Sequence, residues 1–96
     1  QANSLELNAA IAEVEPMRYT PAGLPALNCR LEHESQTQEA GGDRTVKLAI
    51  KAVAFGSQAE RLARQAVGSN WQFKGFLANA RQGKSVVFHI QDFLQD

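Results

Sequence analysis

TVKLAIKAVAFGSQAERLARQAVG, residues 45–68, changes its period in the middle. From Thr45 to Phe55, Val46, Leu48 and Ile50 alternate with Lys47, Ala49 and Lys51, the two-residue repeat of a strand with one buried face. Beyond Gly56 the repeat becomes helical. Ala59, Leu62, Ala63 and Ala66 fall at i, i+3, i+4 and i+7, and Ser57 and Glu60 have the spacing of a capping box. A strand feeding directly into a short amphipathic helix, Ser57 to Ala66 and ended by Gly68, is therefore expected.

Upstream, two further strands are expected. Leu5, Leu7, Ala9 and Ile11 alternate with Glu6, Asn8, Ala10 and Ala12 through a first strand from Ser4 to Val14. Pro16 and the run Thr20-Pro21-Ala22-Gly23 then turn the chain, since proline lacks a ladder donor and glycine accepts positive φ. The second strand, Leu24 to Ser35, sets Leu27, Cys29, Leu31 and His33 on one face and Asn28, Arg30, Glu32 and Glu34 on the other. Gln36 to Asp43, with Gly41-Gly42, reads as a polar loop before the strand that opens this section.

Downstream, Trp71, Phe73, Gly75 and Leu77 alternate with Gln72, Lys74 and Phe76, and after a turn at Gly83, Val86, Phe88 and Ile90 alternate with Val87, His89 and Gln91. The resulting order is β-β-β-α-β-β. It is the order of an all-β OB-fold, a five-stranded Greek-key barrel with a short helix between the third and fourth strands. An SH3-like barrel or an α+β sheet carrying one helix fits the same pattern. Phe55, Trp71, Phe73, Phe88 and Phe93 are expected in the core.

Ninety-six residues suffice for one hydrophobic core, so residues 1–96 read as a single domain. Apolar residues at 44% and charged residues at 21% exclude a disordered chain. No uninterrupted apolar stretch reaches membrane-spanning length, and a soluble, cytoplasmic protein is expected. Cys29 is the sole cysteine, which excludes an intrachain disulfide and a multi-thiolate metal site. It lies four strand positions from His33, about 13 Å away at about 3.3 Å per residue, so the two cannot share a proton or a metal. No phosphate-binding glycine loop, metal-binding helix or serine elbow occurs. An enzyme is not expected, nor are catalytic residues, a metal or another cofactor.

The net charge of zero conceals a segregation. Residues 1–43 hold two arginines against seven acidic residues, a charge of −5, whereas residues 44–84 hold eight cations against Glu60 alone, a charge of +7. A near-neutral chain can still present a basic surface when such residues project from one side. Basic residues interleaved with aromatics are what a protein needs to follow phosphates and stack unpaired bases. The candidate DNA-binding residues are Arg18 before the first turn, Lys47 and Lys51 on one face of the third strand, Lys74 and Phe76 on the fourth, and Arg81 and Lys84 flanking the last turn. Phe76 is the candidate stacking aromatic. An alternating first strand with an open edge provides a motive for pairing with a second copy.

Arg18-Tyr19-Thr20-Pro21-Ala22-Gly23-Leu24-Pro25, Leu31-Glu32-His33, Glu39-Ala40-Gly41 and Gly75-Phe76-Leu77 resemble the primosomal replication protein N family, over nearly the whole chain. The segment from Phe55-Gly56 through the helix to Phe73 and Gly75 is similar to the related bacterial single-stranded-DNA-binding proteins. The resemblance implies a homodimer of OB-folds that binds single-stranded DNA and contacts the restart helicase and other primosome proteins, without catalysis or cofactor. It implies DNA contacts at Arg18, Arg81 and Lys84 and on the exposed face of the second and third strands. Some relatives carry an aromatic at the position of Lys47 and a basic residue at that of Glu34, so weaker or differently distributed DNA binding is expected here. The alternative is a protein-interaction adaptor with the same barrel and little affinity for DNA.

Overall fold

The structure, a computed structural model, describes residues 1–95. Its elements are β1 (Leu5–Val14), β2 (Arg18–Tyr19), β3 (Pro25–Glu39), β4 (Gly42–Phe55), α1 (Ser57–Ala63), β5 (Asn70–Asn79) and β6 (Val86–Gln95). The sheet runs β1-β5-β6-β4-β3-β2, and a second pairing of β1 with β3 closes the five long strands into a barrel. β4 and β6 pair in parallel through Ala52↔Phe88, Val53↔His89 and Ala54↔Ile90, and every other ladder is antiparallel. This is the OB-fold, with the helix between β4 and β5.

The alternating residues do what their period requires. Ile11, Leu27, Leu31, Phe73, Phe88 and Phe93 are fully buried, and Leu62 of α1 plugs the same core. Each such side chain stabilises the fold by about 1.5–3 kcal/mol through burial. Phe93 is gripped from both sides. Phe73 and Trp71 pack against it at 5.6 and 5.2 Å between ring centroids, and the Arg61 guanidinium lies 3.9 Å over its ring. Arg61 also pairs with Asp92 at 2.9 Å, so one side chain ties α1 to β6.

Gly75 is the point of closest strand approach. A Cβ there would sit 1.8 Å from the His89 carbonyl oxygen, beside the register shift between Lys74 and Gly75. Only glycine fits such a contact.

Several expectations are corrected. Gln36 to Asp43 is not a loop. β3 and β4 stay paired out to Glu39↔Gly42 and reverse at Ala40-Gly41, both with positive φ, as a tight two-residue hairpin needs. Polar residues do not break a strand whose two faces both meet solvent, so Gly41-Gly42 marks the tip of an arm. Arg18–Tyr19, given no element of their own in the sequence reading, form a short strand paired with Ala26 and Pro25. The helix ends at Ala63, its N-cap is Gly56, and Ser57 makes no capping bond. Phe55 is 38% exposed and Trp71 only half-buried. β1 is not an open edge along its length: Leu5–Ala10 pair with β5 and Ala10–Val14 with β3. Below Ala10 the β3 ladder gives way to His33, whose Nδ1 meets the Asn8 carbonyl oxygen at 2.5 Å while its Nε2 meets Ser35 Oγ at 2.8 Å.

Candidate nucleic-acid interface

Inward positions of β3 and β4 build the core, so the residues between them face out, and the ladders set those residues in transverse rows. Glu13 of β1 stands opposite Arg30, and Arg30 opposite Lys51. One step along the strands, Asn28, Val53, His89 and Phe76 follow one another across β3, β4, β6 and β5. Beyond them lie Arg18, Ala26 and Phe55. An open groove crosses this face, lined by Glu13, Glu15, Arg18, Arg30, Lys51 and Phe55, with Arg81 and His89 on its far side.

Three rings stand in file across the sheet. Phe76 stacks on His89 at 4.8 Å with planes 14° apart, and His89 on Phe55 at 6.0 Å with planes 28° apart. They come from three different strands, each packed on its neighbour, with Phe55 and His89 lining the groove. A base stacked on an aromatic ring gains about 1–3 kcal/mol.

Of the candidate residues, Arg18, Lys51 and Arg81 share the groove, and Phe76 joins it through His89. Arg18 is steadied by a bond from its Nη2 to Asn28 Oδ1 at 3.3 Å. Lys47, Lys74 and Lys84 are not brought there. Lys47 sits opposite Glu34 in a separate shallow depression with His33 and Leu48. Lys74 lies 3.9 Å from Glu6 and across from Asp92. Lys84 is exposed in the β5–β6 turn.

Arg30, Phe55 and His89 escaped sequence reading. Phe55 has the parity of Lys51, so counting in twos from that lysine places it on the outer face. Arg30 was assigned to the outer face but not to the site. His89 could not have been found, because its stacking partners depend on the β4–β6 and β5–β6 registers. Cys29, at the groove floor, is no nucleophile: burial, with the Glu15 charge adding to it, pushes its thiol up to about 12. Among the described residues no group of three or more His, Cys, Asp or Glu is placed to hold a metal ion, and no helix is long and apolar enough to cross a membrane.

A family profile described as "Another single-strand binding protein family" matches residues 3–92. The chain is 50% identical over 90 residues to the replication restart protein PriB of Bordetella pertussis, covering 93% of this chain and 84% of that one. It superposes on the solved structure of PriB from Ralstonia solanacearum with a TM-score of 0.90 at 42% identity, covering 99% and 98% of the two chains. It also superposes on the single-stranded DNA binding protein from Thermus aquaticus, with a TM-score of 0.74 at 28% identity, over 98% of this chain and 50% of that one. The chain therefore belongs to the single-strand binding protein family and, within it, to the PriB replication restart proteins.

Proposed function

We propose that this protein binds single-stranded DNA along the groove between β1 and the β5–β6 turn, as a non-enzymatic accessory of replication restart. The observation that carries the proposal is the file of Phe55, His89 and Phe76 beside Arg18, Lys51 and Arg81. Rings stack unpaired bases, which a duplex keeps hidden, and the cations meet phosphates. The relative at 50% identity carries the name of a replication restart protein, which supports the same process here. Lys47, Lys74 and Lys84 belong to the proposed surface as outlying charges that a longer strand reaches beyond the groove.

The working unit is proposed to be a homodimer, with Leu5–Ala9 of β1 contributing where β3 pairing stops. The restart helicase and other primosome proteins are proposed as partners.

Titration of a labelled deoxythymidine oligomer by fluorescence anisotropy at several salt concentrations, with duplex competitor, tests the DNA reading. Expected are single-strand selectivity and a log–log salt slope of about −0.7 per phosphate neutralised. Mass measurement alongside tests the dimer. A second reading, an adaptor that binds chiefly proteins, is favoured by Glu13 and Glu15 on one groove wall and Glu34 opposite Lys47. Absence of binding at low salt would end the DNA reading and move this chain to the adaptor class, with its function sought in protein partners.

A further inference from the structure

The groove is electrically two-sided. Arg30, at its centre, has Nη2 3.4 Å from Glu13 Oε2 and Nη1 3.4 Å from Glu32 Oε1. Lys51, directly opposite Arg30 on β4, has no carboxylate within 4 Å among the described residues. Like charges set opposite one another on adjacent strands repel, and the two carboxylates relieve that repulsion on the Arg30 side only. Glu15 extends the same wall. Glu13 and Glu15 thus put negative charge on the β1 side of the groove, with Arg18 of β2 the cation beyond them on that side, while Lys51 and Arg81 line the other side with positive charge alone.

We propose that Glu13, together with Glu32, cancels Arg30 and that Glu15 adds to this electrostatic brake on nucleic-acid binding in the groove, shifting the phosphodiester backbone away from Arg30 toward Lys51 and Arg81. The inference rests on the single-stranded DNA reading above. The side chains of Arg30, Glu13 and Glu32 are 43, 67 and 57% exposed, so the ion pairs are labile and do not lock the arginine mechanically. The brake acts through local charge. A phosphate approaching Arg30 also approaches Glu13 and Glu32, and it gains little because attraction and repulsion arise within a few ångströms of each other. Removing one carboxylate leaves Arg30 with a positive field that a phosphate can use. The arrangement keeps affinity below what the basic residues of the groove would otherwise produce.

The test is a mutant cycle on Glu13 and Arg30, read by anisotropy with a labelled deoxythymidine oligomer and with thermal unfolding as a folding control. Glu13→Gln should tighten binding about fivefold at low salt and steepen the salt slope by about 0.7, one additional phosphate. Glu15→Gln in the same chain should tighten it further. Arg30→Gln alone should change affinity by less than about twofold, but in the Glu13→Gln background it should abolish the gain, a coupling that only a shared charge effect produces. Wild-type binding that Glu13→Gln leaves unchanged or weakens overturns the brake alone. So does a loss on Arg30→Gln as large as that on Lys51→Glu. Absence of binding by every variant at low salt overturns both the brake and the DNA reading.

Discussion

Along the ladder that joins β3 to β4, the barrel end buries Leu27, Cys29 and Leu31 across from Ala54, Ala52 and Ile50, whereas the distal end pairs Glu34 with Lys47, Gln36 with Thr45 and Gln38 with Asp43 in solvent. The hydrogen-bond pattern is the same at both ends; the source of stability is not. At the barrel end, area removed from water holds the strands together. On the arm, cross-strand polar contacts do so, including Gln36 Nε2 to Thr45 Oγ1 at 2.8 Å and the Arg44–Glu39 ion pair. A two-stranded ribbon with no sheet or helix behind it is marginal in water. The comparison teaches that a continuous ladder can join a rigid binding face to a reach of chain free to adjust, and the groove residues Arg30, Lys51 and Phe55 all sit on the rigid part.

Truncation should separate the two ends most strongly. Leu31→Ala, in the barrel, is expected to cost about 2–5 kcal/mol of unfolding free energy in urea melts, against less than about 1 kcal/mol for Val46→Ala on the arm. Equal losses would break the distinction.

The next effect comes from pH. The Cys29 thiol, raised to about 12 in the fold from 9.0, is protonated in the native state at pH values where the unfolded chain ionises. Its contribution is therefore fully present below pH 9 and is lost as pH rises toward 12, by about 1.4 kcal/mol per unit. Stability measured against pH for wild type and Cys29→Ala should converge over that window. Alkylation of Cys29 should be slow, following opening of the barrel rather than fraying of the arm.

Lys51 and Lys47 lie on the same face of β4, one in the groove and one at the base of the arm. Lys51→Glu should weaken single-stranded DNA binding about tenfold at low salt and Lys47→Glu only about twofold, since the latter adds charge beside Glu34 and outside the groove. The reverse order would move the binding path onto the arm. The smallest effect is expected at the tip. Gly41→Ala forces a Cβ into positive φ at a cost of about 1 kcal/mol, which should appear as faster hydrogen exchange on the arm with the barrel amides unchanged.

Much of this was legible before any coordinates. The switch of period at Gly56 and the strands on either side gave the element order of an OB-fold, though the same order fits an SH3-like barrel or an α+β sheet, and Lys51 was placed on the outer face by parity alone. The arm was misread because strand signals rest on one face being buried, and residues 36–43 bury neither. Lys74 was named as a DNA contact with no sign in the linear pattern that Glu6 and Asp92 flank it from two other strands.

What the sequence determined by itself was local: which residues alternate, where the helix begins, which side chains share a face within one strand, and the family to which those patterns belong. What only the tertiary structure decided was adjacency between strands. Glu13, Arg30 and Lys51 form a row, and Phe55, His89 and Phe76 a file of rings, through ladders between segments far apart in the chain. A side chain's parity is an intramolecular count of two, but its neighbour across the sheet depends on register. Register is set jointly by the closure of the barrel, the Gly75 contact and the packing of the core, none of which any one segment contains.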